Sequence, residues 1–104
     1  MKVLLDTNAY SALMSGRSEI IDRIRRAERV FLSTIVIGEL LFGFRNGNQF
    51  DKNHRILETF LDNPFVEPVP ATLTTADRIA AMLRANLIVW LYYRFSLSFR
   101  DIAT

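Results

Sequence analysis

Apolar residues come in short blocks along this chain, and the spacing within the blocks changes from one to the next. Lys2–Leu5 is a run of Val and Leu without period-2 alternation, the pattern of a short strand covered on both faces. Thr7 and Asn8 are helix-start residues, Ala9–Met14 suits a short helix, and Gly16 suits its stop. Ser18 suits the cap of a second helix, Glu19–Glu28, with Ile20, Ile21 and Ile24 as its apolar stripe and a row of arginines facing water. Val30–Leu32 reads as a second strand, and Ser33 or Thr34 caps a third helix over Ile35–Phe44. Arg45–Gln49 is a Gly- and Asn-rich loop. Phe50–Leu61 is a helix whose stripe is Phe50, Ile56, Leu57, Phe60 and Leu61, ended by Asn63-Pro64. Phe65–Val69 is a third strand closed by Pro68 and Pro70, and Thr74 or Thr75 caps a helix from Ala76 to about Asn86. Strands alternating with helices at this spacing predict an α/β fold with a parallel sheet.

The pattern breaks in the tail. Leu87–Phe99, "LIVWLYYRFSLSF", is dense in aromatic and β-branched residues. It is too short for a transmembrane helix and carries Arg94 near its middle. One or two further strands, or a helix on the sheet edge, is the expectation. Only "RDIAT" follows, so the tail reads as cut short or taken from a shifted frame.

Composition narrows the class. The 104 residues suit one domain, 1–104, and half of them are apolar, enough for a real core. The chain has no cysteine, which excludes a disulfide framework and a thiolate metal site and fits a reducing cytoplasm. The N-terminal apolar run meets Asp6 at once and is no signal peptide. Net charge is +2, the usual balance of a solvated surface. The cations are nearly all Arg, which favours bidentate phosphate contacts and hints at a nucleic-acid partner.

Two carboxylates then stand out. In an open α/β sheet the ligand crevice lies beyond the carboxyl ends of the strands. Asp6 ends the first strand, and the turn after the second strand leads into the helix that carries Glu39. The helical neighbours of Glu39 are Ile35, Val36, Phe42 and Gly43, none of them a cation. A carboxylate among apolar groups needs neutralising, a distant Arg, or a metal. Each acid also has an ordinary reading: Asp6 as a helix N-cap, Glu39 as a half-exposed helix residue. Taken together, two acids aimed at one crevice repel, and a divalent cation resolves the conflict. Mg²⁺, or Mn²⁺, takes oxygen ligands, accepts one or two carboxylates and keeps several waters. Water on such an ion is acidified enough to attack a phosphodiester. Asn8 is placed to orient a carboxylate or a water. The hydroxyls of Thr7, Ser33 and Thr34 suit helix capping better than phosphate binding. The lone His54, beside Lys52 and Arg55, suits a solvated surface and completes neither a catalytic triad nor a zinc site. Neither a Walker A loop nor G-x-G-x-x-G occurs.

"VLLDTNAYSALMSG" followed by "LSTIVIGELLFGF" resembles the start of PIN-domain ribonucleases, specifically the VapC-type toxins of toxin–antitoxin pairs. "VEPVPATLTTADRIAAMLRA" is similar to the family's next strand and helix, so the likeness spans about residues 1–85 and leaves 86–104 as an atypical apolar tail. The resemblance implies a PIN-like three-layer α/β/α domain with a central parallel sheet, here incomplete at the C-terminus. It implies a metal-dependent endoribonuclease acting on RNA, often a tRNA, held inactive by a cognate antitoxin and commonly homodimeric. By position Asp6 matches the first family acid, Glu39 the second, and Asn8 the polar residue beside the first. The family carries later acids; Asp101 is the candidate here for the third metal ligand, while Asp77 reads as a helix-start acid. A rival reading is a catalytically impaired, shortened toxin that binds an antitoxin or another toxin. A third is a remnant without function.

Overall fold

The computed structural model describes residues 1–85 and 88–91. Four strands, β1 (Lys2–Leu5), β2 (Arg29–Ser33), β3 (Val66–Val69) and β4 (Ile88–Leu91), form one sheet in the order β3-β2-β1-β4. Every neighbouring pair is parallel, with Val3 in register with Val30 and Val89, and Val30 with Val66. Helices α1 (Thr7–Met14) and α2 (Ser18–Arg25) join β1 to β2; α3 (Thr34–Arg45) and α4 (Phe50–Leu61) join β2 to β3; α5 (Leu73–Arg84) joins β3 to β4. The expected α/β class and parallel sheet are observed.

Strand order decides the layers. The first two crossovers step the same way along the sheet, and the third returns across it to the opposite edge. Parallel crossovers are right-handed, so α1–α4 cover one face and α5 the other. Burial agrees. Val3, Leu5, Val30, Leu32 and Val66 share one face by period-2 alternation and form the core cluster with Ala9, Tyr10, Ala12, Ile20, Leu40, Leu57 and Phe60 from α1–α4. Leu4 and Ile88 are buried but lie outside that cluster, as residues facing α5 must. The α1–α4 layer is the packed one; α5 has no buried residue.

Local chemistry explains the boundaries, and in places corrects the reading above. The first helix is capped by Asp6, not by Thr7 or Asn8: the Asp6 carboxylate accepts the Ala9 amide at 2.7 Å. Its C-terminus is a Schellman motif. Arg17 N donates to Ala12 O at 3.0 Å and Gly16 N to Leu13 O at 3.1 Å, with Gly16 at φ +80°. Ser18 opens α2 as its first residue; the cap position is Arg17, which makes no side-chain cap bond. Ser33 caps α3 by accepting Val36 N at 3.1 Å. Helix α5 begins earlier than expected, capped by Thr72 through Thr75 N at 3.1 Å. Asp77 therefore sits in the second turn of α5, exposed, where the helix dipole is no longer felt strongly. Within the apolar tail, Ile88–Leu91 form β4, paired to β1 and at the sheet edge among the described residues; residues 86, 87 and 92–104, Asp101 included, lie outside the described residues. Among the described residues no helix is long and apolar enough to cross a membrane.

Candidate functional site: an acidic pair on the carboxyl rim

The site follows from two helix starts. α1 leaves β1 and α3 leaves β2 at the same rim and on the same face, because β1 and β2 are parallel neighbours and both crossovers have the same hand. The two helices therefore meet side by side. Asp6 is the N-cap of α1 and half-buried; Glu39 lies one and a half turns into α3 and is exposed. Thr7, next to Asp6, links the two helices: its Oγ1 donates to Glu39 Oε1 at 2.5 Å, across 32 positions of sequence. The residue next to the first acid thus holds the second. Asn8, half-buried, follows on the same helical turn.

This geometry changes part of the sequence argument. Glu39 lies open to solvent, so desolvation by Ile35, Val36, Phe42 and Gly43 is not what constrains it. A short hydroxyl–carboxylate hydrogen bond does. Thr7 was expected to cap; it is instead a cross-helix donor, and one sequence carries no signal that separates those uses of a hydroxyl. Thr34, also read as a cap or phosphate contact, accepts the Ala71 amide at 3.2 Å and so ties α3 to the loop before α5. Ser33 keeps its capping role. His54 behaves as read: it is half-exposed on α4, its Nδ1 2.9 Å from Glu58 and its ring beside Phe50.

The donor set is entirely oxygen: two carboxylates, a hydroxyl and an amide side chain. Among the described residues no group of three or more His, Cys, Asp or Glu is placed to hold a metal ion. Two carboxylates with open solvent access suit a hard divalent cation that keeps most of its waters, and they do not suit zinc. The groove between α5 and the sheet, lined by Lys2, Arg29, Phe31, Glu67 and Arg78, includes neither acid.

Fold and rim together define a parallel α/β domain of the doubly wound kind, with an acidic pair at the strand ends where such folds bind ligands. The sequence profile of the PIN domain matches residues 3–101. The chain belongs to the PIN domain family. Among solved structures it is similar to VapBC2 from Rickettsia felis, crystallised bound to a DNA fragment from their promoter. That match has a TM-score of 0.58 and 19% identity, and covers 86% of this chain and 71% of the other; it is a likeness of fold. No curated protein matches the chain significantly.

Proposed function

We propose that this chain is a VapC-type toxin, a metal-dependent endoribonuclease that cleaves RNA phosphodiester bonds and is restrained by a partner antitoxin. The observation that supports the reading is the Thr7–Glu39 hydrogen bond, which draws Glu39 of α3 to the start of α1, one residue from Asp6. PIN domains are nucleases as a class, and the similar Rickettsia complex pairs a VapC-type chain with its antitoxin. Asp6 and Glu39 would hold a Mg²⁺ or Mn²⁺ ion through carboxylate oxygens. Such an ion, once bound, acidifies a water and offsets charge building on the phosphate. The chain's own part is positional. Asp6 is fixed by its bond to Ala9 N and by the positive end of α1, which keeps a carboxylate favourable there. Thr7 restrains the Glu39 carboxylate, and a fraction of an ångström matters for in-line attack. Asn8 orients a water or a carboxylate from the same turn. A homodimer, a structured RNA such as tRNA as substrate, a third metal ligand at Asp101 and a cytoplasmic location complete the reading.

A second reading has one observation in its favour. The described residues bring together a pair of acids, which suits a toxin-family chain that binds an antitoxin without cutting RNA. RNA cleavage with Mg²⁺, with Mn²⁺ and with EDTA separates the two, beside Asp6→Asn and Glu39→Gln. The nuclease reading expects cleavage only with metal, lost in both variants. A variant that cuts like the parent removes that residue from the mechanism; a parent that never cuts RNA but binds a partner establishes the second reading.

A further inference from the structure

The solvent face of α3 is unusual for a helix surface. Ile35, Gly38, Glu39 and Phe42 recur at helical spacing and all are exposed, Ile35 at 61% and Phe42 at 70%. The candidate metal-binding carboxylate thus lies within an apolar stripe. Helical side chains lean toward the N-terminus, which directs Phe42 toward the turn that holds Gly38 and Glu39. Gly38 has no internal reason to be glycine. A Cβ built there meets no atom within 4 Å, and a helix-interior glycine is unfavourable in itself. Its effect is to leave bare backbone beside the ring, where a flat group can settle.

The geometry points to Phe42 as a stacking platform for one unpaired base of the RNA, next to the phosphodiester that a divalent ion on Asp6 and Glu39 would hold. This inference rests on the nuclease reading of that site. Single-stranded RNA is gripped by stacking splayed bases on aromatic rings. Residues three apart on a helix place their side chains about 5–6 Å apart, roughly the reach from a phosphate to its own or the adjoining base. A protein partner suits the stripe less well. The core of a protein interface is depleted in charge, and here a carboxylate occupies the middle. Phe42 makes no contribution to the buried core, so replacing it leaves the fold intact.

The test uses the full chain, a fluorescein-labelled single-stranded RNA oligonucleotide, and Phe42→Ala, Phe42→Leu and Phe42→Trp. Binding is read by anisotropy in Ca²⁺ or EDTA, cleavage by kcat and KM in Mn²⁺. Stacking predicts that Ala and Leu weaken binding about 5- to 150-fold and raise KM in step, with kcat changed less than about threefold. Phe42→Trp keeps the affinity of the parent and gains a fluorescence change on RNA addition. Equal affinity for the parent, Ala and Leu forms overturns the inference while leaving any metal-dependent cleavage, and so the nuclease reading, standing. Leu behaving like the parent overturns it too, because an apolar contact would then suffice. A shift of Phe42→Ala from dimer to monomer in sedimentation, with RNA binding unchanged, reassigns the stripe to a protein interface. If the parent cuts no RNA, the nuclease reading falls, and the binding series still decides the role of Phe42.

Discussion

Asp6 is asked to do two things, and substitutions at that position separate them. As N-cap it accepts Ala9 N at 2.7 Å and lies at the positive end of α1. As the proposed metal ligand it would supply negative charge. Asparagine caps as well as aspartate but carries no charge, so Asp6→Asn should lose only the dipole term, about 0.5 kcal/mol. Asp6→Ala loses cap and dipole together, about 1.5 kcal/mol. For a domain of this size each kcal/mol moves Tm by about 4–8 °C, so Asn should lie about 2–4 °C below the parent and Ala about 6–12 °C. Metal adds the discriminating arm. An ion that binds only the folded chain stabilises it by about 1.4 kcal/mol at ten times its Kd, which raises the parent Tm by about 6–11 °C. Both variants should lose that rise, although Asn keeps most of the metal-free stability. Calorimetry with EDTA and with MnCl₂ reads all the quantities. Equal metal-free Tm for Asn and Ala would refute the cap argument; a full metal-induced rise in Asp6→Asn would refute the ligand argument.

Three further outcomes are expected. Thr7→Val removes the donor to Glu39 at nearly constant shape; because Glu39 is exposed, stability should fall by under about 1 kcal/mol in urea titration, whereas metal affinity should fall about 10- to 100-fold. Thr7→Ser should restore the affinity, and an unchanged Kd in Thr7→Val would show that the bond does not tune the site. Tyr10 is 2% exposed, its hydroxyl finds no hydrogen-bond partner among the described residues, and burial pushes its pKa up to about 12. Since the unfolded phenol ionises near 10, this contribution is whole below pH 10 and is lost as pH rises toward 12, at about 1.4 kcal/mol per pH unit. Tyr10→Phe should flatten that loss and leave stability at pH 7 unchanged or about 1 kcal/mol higher; a clear drop at pH 7 would mean that the hydroxyl has a partner. Gly16→Ala places a Cβ at φ +80° in the Schellman turn and should lower stability by about 1 kcal/mol, read as a Tm fall of several degrees.

Much of the fold was legible because its determinants are local. A run such as Val3-Leu4-Leu5, stopped at once by Asp6 and helix-start residues, suits a covered strand, and the stripe of α4 predicts Phe50–Leu61 with the bounds observed. Ser33 and Gly16 act within four residues of themselves, so their cap and turn could be read in line. The tail was less legible: apolar periodicity suits strand and helix alike when no partner is known, and pairing with β1 decides for β4.

Function divides along the same line. The candidate residues, Asp6 and Asn8 after the first strand and Glu39 within the third helix, were legible in the sequence alone as residues for one rim, because a chain of this kind sends its strand ends there. Which hydroxyl reaches which acid was decided only by tertiary structure. Thr7 and Glu39 are brought together by the shared hand of two crossovers and by the parallel register of β1 and β2. The exposure of Phe42 and Ile35 also belongs to the fold, since the same spacing would serve equally well for a buried face, and only the neighbours of α3 determine which side meets water.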